Sequence, residues 1–179
     1  MLALEKAQLS DLDEVYSLFK KVRAQMVKEG NHTWSHSYPL KINFKEDLEA
    51  SQGYLYRDHG VLIAYIAASF DPLEDFFYFS KSLDKLAQLR KDTSMKDDED
   101  FLLLHRLMVA PSEQGHGLAE EIFQSIASLF PKHLVMFAVY PENVKAMRAY
   151  DRYGFTNAGI YPFEYGEKIR CYLYYKRYC

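Results

Sequence analysis

Gln114-Gly-His-Gly-Leu-Ala119 is a run whose residue types suit the binding of an anion. It lies between an apolar stretch, Phe101 to Val109, and a helical pattern with Leu118, Ile122, Phe123 and Ile126 on one face. A strand that feeds a glycine-rich loop opening a helix turns several backbone N–H groups outward. The helix N-terminus adds partial positive charge. Phosphate is the natural ligand of such an arrangement. Gly115 and Gly117 allow the backbone to approach the anion where a Cβ would stand in the way. A Walker loop needs Gly-Lys-Ser/Thr, which is missing here. A dinucleotide loop needs a third glycine, and His116-Gly-Leu-Ala does not supply it.

A second run, Asn143-Val-Lys-Ala-Met-Arg-Ala-Tyr-Asp-Arg-Tyr-Gly-Phe155, follows a Tyr-Pro-Glu turn. Asn143, Ala146 or Met147, and Tyr150 are spaced i, i+3/i+4, i+7, so one helix face carries all three. Two further places hold groups able to do chemistry. His105, within the apolar stretch, has a reference pKa of about 6.5 and suits proton transfer, although a histidine hydrogen-bonded inside the fold explains it as well. The segment Asn31 to Pro39 holds Trp34, Tyr38, His32 and His36. Trp34 and Tyr38 can form an aromatic wall for a substrate, and Trp34 can equally cap a core. His32 and His36 are four residues apart, but Gly30 and Pro39 oppose a helix there, and no metal site is expected.

Together the two runs resemble the signatures of the GCN5-related N-acetyltransferase (GNAT) family. These are Gln/Arg-x-x-Gly-x-Gly/Ala for the first and Asn-x-x-Ala-x-x-x-Tyr-x-x-x-Gly-Phe for the second, in the same order. The motifs cover about the C-terminal half of the chain, and residues 1–100 match in element order alone. The resemblance implies acetyl-CoA as co-substrate, with its pyrophosphate on Gln114, Gly115, His116, Gly117, Leu118 and Ala119. It implies a bulged strand whose backbone at Leu107, Met108 and Val109 meets the acyl carbonyl and the pantetheine arm. It places Asn143, Ala146, Met147 and Tyr150 along that arm. Tyr150 then matches the family's acid: a phenol of pKa about 10 stays protonated at neutral pH and can protonate a departing thiolate. By the same resemblance His105 is the candidate base for the amine proton, with a water chain as the alternative. The implied reaction is direct attack by a primary amine, of a small molecule or a peptide, in a ternary complex. A non-catalytic acyl-CoA sensor on the same fold is the alternative.

The elements that must position these groups follow from pattern. Residues 2–7 read as a short edge strand, and Ser10 as the N-cap of a helix with Val15, Leu18, Phe19, Val22 and Met26 on one face. Residues 43–50 read as a second helix. Residues 53–57 and 61–70 read as a hairpin about Asp58-His59-Gly60. An irregular acidic insert, 71–100, holds one helix and ends in a solvated loop, 96–100. After the strand 101–109 come a helix from His116 to Phe130, a strand 133–139, a helix from Asn143 to Tyr153 capped by Gly154, and two antiparallel strands, 156–161 and 170–176. The order predicts a single α/β domain over residues 1–179. The family resemblance implies a mixed, mostly antiparallel sheet flanked by helices and splayed between strands four and five.

Composition sets limits on partners. The 179 residues are 49% hydrophobic with a formal net charge of −3, which suits a domain with a real core and offers no broad basic field for nucleic acid. The longest apolar run, Val61 to Phe70, is too short to span a bilayer. Cys171 and Cys179 lie far from a CxxC spacing, so no metal site is expected from them, and a reducing cytoplasm is the expected setting. A monomer and a homodimer both remain compatible with the pattern.

Overall fold

Val15, Leu18, Phe19 and Val22 recur at helical spacing, and all four are buried on one face of α1 (Leu12–Lys28). The computed structural model to which this helix belongs describes residues 4–34, 36–70, 83–164 and 168–178. Four more helices are described: α2 (Lys41–Glu49), α3 (Leu83–Asp92), α4 (Leu118–Leu129) and α5 (Val144–Arg152). Seven strands, β1 (Leu4–Lys6), β2 (Gly53–Asp58), β3 (Val61–Ser69), β4 (Asp100–Val109), β5 (His133–Val139), β6 (Thr156–Glu164) and β7 (Lys168–Lys176), form one sheet. Their order is β1-β2-β3-β4-β5-β7-β6. The ladder of β4 with β5 is parallel, and β1–β2, β2–β3, β5–β7 and β6–β7 are antiparallel. This is the expected mixed, mostly antiparallel sheet with flanking helices. The parallel ladder joins Asp100–Leu103 to His133–Met136.

The chain packs as two compact units, residues 1–68 with 105–126 and residues 69–104 with 127–179. In the first, the apolar face of α1 meets Phe44 and Leu48 of α2, with Leu55, Leu62, Tyr65 and Met108 from the strands. Each such fully buried aliphatic or aromatic side chain contributes about 1.5–3 kcal/mol. Ser10 does not cap α1. A 3-10 turn, Leu9–Asp11, precedes the helix, and Asp11 accepts a hydrogen bond from the Gln8 N–H at 2.7 Å. Arg57 of β2 reaches Glu14 and Asp11 at 2.7 and 3.0 Å and ties strand to helix. His59 and Gly60, both at positive φ, make the two-residue β2–β3 turn.

In the second unit Leu102, Leu103, Leu134, Val135, Met136 and Leu173 are buried on the strands. The expected insert helix is α3; residues 71–82, and Cys179, lie outside the described residues. The tail of the insert is not a wholly solvated loop. Arg177 donates to both carboxylate oxygens of Glu99, at 2.7 and 2.9 Å, and to the carbonyls of Thr93 and Ser94. The guanidinium beside it holds the Glu99 carboxyl below the ordinary glutamate value. Tyr161 donates to Asp92 at the end of α3.

Candidate active site

The glycine loop is built from β4 outward. The Ala110 N–H donates to the Ile63 carbonyl at 2.7 Å, which holds the end of β4 to β3. A 3-10 turn, Pro111–Glu113, reverses the chain, and the Gln114 side-chain amide donates back to the Val109 carbonyl at 3.0 Å. Gly115 and Gly117 both sit at φ +85, where a side chain would be strained. An added Cβ at either meets no protein atom within 4 Å. Crowding by the protein therefore does not account for these glycines; the positive φ does, and the space beside them is open. Because Gly117 cannot continue a right-handed helix at that φ, α4 starts at Leu118 and not at the expected His116. Its first intrahelical donors are Glu120 and Glu121, both to the Gly117 carbonyl. The N–H groups before them have no intrahelical acceptor by construction, so they can serve an anion.

Within β4, Arg106 has an unusual backbone conformation. Its φ of +53 lies in the left-handed region, a cost of roughly 1–2 kcal/mol for a residue with a side chain. In a regular strand neighbouring side chains point to opposite faces. Here the guanidinium Nη1 of Arg106 lies 2.7 Å from the Nδ1 of His105 beside it. The same Nη1 donates to Asp47 of α2, a residue only 3% exposed, at 2.5 Å. The second oxygen of Asp47 accepts from the Tyr65 hydroxyl of β3 at 2.9 Å. The ring of Tyr38 faces the guanidinium, 5.5 Å from its centre. Burial works against the Arg106 charge, but Tyr38, Asp47 and Tyr65 outweigh it and the guanidinium holds its proton more tightly than usual. Burial, and then the neighbouring guanidinium, push the His105 pKa well below its ordinary value, so the ring is neutral near pH 7.

Asn143 is the N-cap of α5, and its side chain accepts from the Ala146 N–H at 3.3 Å. Gly154, at φ +74, ends the helix, and the Phe155 N–H closes it onto the Tyr150 carbonyl. Tyr150 is half-buried in an aromatic cluster: its ring centre lies 4.4 Å from Phe137, 5.8 Å from Tyr174 and 6.2 Å from Phe155. Burial, followed by the nearby Tyr153 and Tyr174, raises the phenol above its ordinary value and keeps it protonated.

In the first unit the glycine loop that opens α4 can serve a phosphate group, and in the second unit the capped helix α5 carries a protonated phenol. The family model for the acetyltransferase (GNAT) family matches residues 13–155. The chain belongs to the GNAT acetyltransferase family. No match is found among curated proteins. Among solved structures, a GNAT acetyltransferase from Streptococcus agalactiae is 19% identical with a TM-score of 0.77, over 99% of this chain and 96% of that one. NAA60 from Arabidopsis thaliana, solved in complex with acetyl-CoA, is 15% identical with a TM-score of 0.66, over 99% and 100%. The ribosomal-protein-S18-alanine N-acetyltransferase from Escherichia coli is 15% identical with a TM-score of 0.59, over 98% and 92%. At such identities these neighbours speak to the GNAT fold alone.

Within this acetyltransferase, His105, Leu107 to Val109, Gln114 to Ala119, Trp34 and Tyr38 belong to the first unit, and Asn143, Ala146, Met147 and Tyr150 to the second. Met108 is buried in the first core, while Leu107 and Val109 are half-buried. Trp34 packs on that core, 5.6 Å from the Phe19 ring, and its carbonyl accepts from Arg23. Asp47, Tyr65 and Arg106 are the residues that sequence reasoning missed. The only local sign of them is the charged Arg106 beside His105 in a mostly apolar strand. Among the described residues no group of acids, histidines and cysteines is arranged to hold a metal ion, and no helix is long and apolar enough to cross a membrane.

Proposed function

We propose that the chain transfers an acetyl group from acetyl-CoA to a primary amine, of a small molecule or a peptide, by direct attack with both substrates bound. The observation that carries this reading is the Gln114–Ala119 loop, whose two glycines at φ +85 open α4. In this reading the loop amides hold the CoA pyrophosphate, and the backbone at Leu107, Met108 and Val109 meets the acyl and pantetheine groups. The α5 face of Asn143, Ala146, Met147 and Tyr150 follows the pantetheine arm. The CoA thioester supplies an activated acyl group. Tyr150 gives its proton to the departing thiolate, which its raised pKa allows because the phenol stays protonated across the neutral range. His105 is the imidazole of the site, and Trp34 and Tyr38 line the acceptor side.

Direct attack is favoured over a covalent route by the state of Cys171. It is buried, and burial, with Glu142 adding to it, pushes its thiol up to about 12. Such a thiol holds almost no thiolate at neutral pH and makes a poor nucleophile. Calorimetry with CoA tests the reading. Gly117→Val is expected to weaken CoA affinity at least about tenfold, since a side chain there strains the loop and blocks charge-assisted bonds to the pyrophosphate. Unchanged affinity in a folded variant removes the loop from the CoA site. A thiol-release assay across amines of different class then identifies the acceptor, and no release with any amine leaves a CoA-binding protein without transferase activity.

A further inference from the structure

The imidazole of His105 in its neutral form has one lone pair, and Arg106 occupies it. A guanidinium can only donate, so the 2.7 Å contact between Arg106 Nη1 and His105 Nδ1 makes Nδ1 the acceptor. The ring proton is then on Nε2. That Nε2 is fully buried and has no protein partner among the described residues. To act as a base through Nε2, the ring would have to move its proton to Nδ1, where it would face a donor. Taking a second proton at Nδ1 would bring two donors and two positive charges together. Turning the ring over would put a C–H against the guanidinium and lose the bond. Arg106 cannot step aside easily. Its Nη1 is also held by Asp47, which is held in turn by Tyr65, and the Tyr38 ring faces the guanidinium. These are groups from α2, β3 and the 31–40 segment, and together with the left-handed backbone at Arg106 they fix the guanidinium beside His105.

We propose that Asp47 and Arg106 are positioning residues that fix His105 as the Nε2–H tautomer, so that His105 serves the acetyl transfer as a hydrogen-bond donor to an oxygen acceptor in the site and does not take the amine proton. This rests on the acetyltransferase reading above. It explains why a histidine stands next to an arginine with a left-handed backbone: the two side chains meet, and the arginine then chooses the tautomer. It also accounts for a buried donor without a protein partner, a state that is costly unless a ligand completes it. The amine proton leaves by another route, to water.

A glutamine separates donor from base. At position 105 its side-chain oxygen accepts from Arg106 and its NH2 takes the place of Nε2–H, yet it has no basic lone pair. With an amine that the wild type acetylates, His105→Ala is expected to lower kcat/KM by about thirtyfold, in the range of a lost preorganised donor or a little below it. His105→Gln is expected to recover at least about tenfold of that loss. If His105→Gln is as slow as His105→Ala, the donor role is overturned and the base role stands. Nitrogen-15 spectra of the histidine rings read the tautomer without turnover. In the wild type Nδ1 of His105 is expected to be unprotonated and Nε2 protonated throughout the neutral range. In Arg106→Gly, which keeps the left-handed backbone and removes the guanidinium, the two tautomers are expected to mix. A proton on Nδ1 in the wild type, or ring signals unchanged by Arg106→Gly, overturns the positioning role. Should that variant not fold, Asp47→Leu/Arg106→Met, which leaves no buried charge, gives the same reading. A wild type that binds acetyl-CoA and acetylates no amine overturns the acetyltransferase reading, and the ring signals then decide the tautomer alone.

Discussion

His105 and Tyr150 are both held neutral, in each case first by burial, and the two regions bury them with different kinds of neighbour. Around His105 the first unit concentrates charge: a buried aspartate accepts from both the Arg106 guanidinium and the Tyr65 hydroxyl, and the guanidinium reaches His105. Around Tyr150 the second unit sets ring against ring: Phe137, Phe155 and Tyr174 surround the phenol. A charged network fixes direction, because each donor has one place to point, and it fails badly when one member is lost. An aromatic cluster fixes burial with less regard to direction, and it tolerates a change of one atom. The difference teaches that the first region is set by orientation and the second by the packing of rings.

The largest test of this contrast is Asp47→Ala. It leaves the Arg106 guanidinium, 11% exposed, without its counter-charge and is expected to cost about 3–5 kcal/mol in denaturant unfolding. Asp47→Leu/Arg106→Met is expected to regain most of that loss, since an apolar pair replaces the charges. A loss under about 1 kcal/mol for the single variant means the network does not hold this region together. Tyr150→Phe is the matching change in the aromatic cluster. The ring stays, so stability is expected to move by no more than about 1.5 kcal/mol, in the range of one hydrogen bond. The single-turnover rate is expected to drop at least about tenfold if Tyr150 is the acid, with CoA affinity kept. Rates that agree within about twofold would make Tyr150 a packing residue.

The smallest effects are in pH dependence, and they run in opposite directions. The folded pKa of His105 lies below its unfolded value of about 6.5. Below that pH the unfolded chain binds the extra proton. The stability contributed by the neutral ring is therefore present above about pH 6.5 and is lost as pH falls from there toward the folded pKa. The folded pKa of Tyr150 lies above its unfolded value of about 10, so its contribution is fully present below about pH 10 and is lost as pH rises through the folded value. Unfolding measured across pH is expected to show His105→Gln flattening the acid side alone and Tyr150→Phe the alkaline side alone. Variants that leave both sides unchanged remove burial as the cause of either shift.

These two regions were not equally legible in the sequence. The glycine loop and the Asn143–Phe155 run stand out because their spacing depends on backbone geometry: glycine at positive φ, a cap, a helical face. The start of α4 was misplaced by two residues because helical periodicity runs on through His116 and Gly117, while only φ shows that Gly117 is outside the helix. The Asp47–Arg106 network was not legible. Asp47 lies in a polar helix sequence and resembles any surface acid, and its partner is 59 residues away. Nothing local records that pairing, and the left-handed backbone at Arg106 leaves no trace in a stretch that is apolar but for His105 and Arg106. Asn143 was legible as a motif residue, but its capping bond to Ala146 gives it a structural duty that any helix start could ask of it.

Arg177 offers a consequence in the order of events during synthesis. It grips Glu99 and the carbonyls of Thr93 and Ser94, and the Glu99 contact joins residues 78 positions apart. A ribosome releases the segment around residues 93–99 well before Arg177 leaves the exit tunnel. The neighbouring strand β4 can begin to pair, but its acidic approach has no fastener until β7 is complete. The nascent chain thus carries an unclasped acidic segment from the time residues 93–99 emerge until Arg177 reaches them.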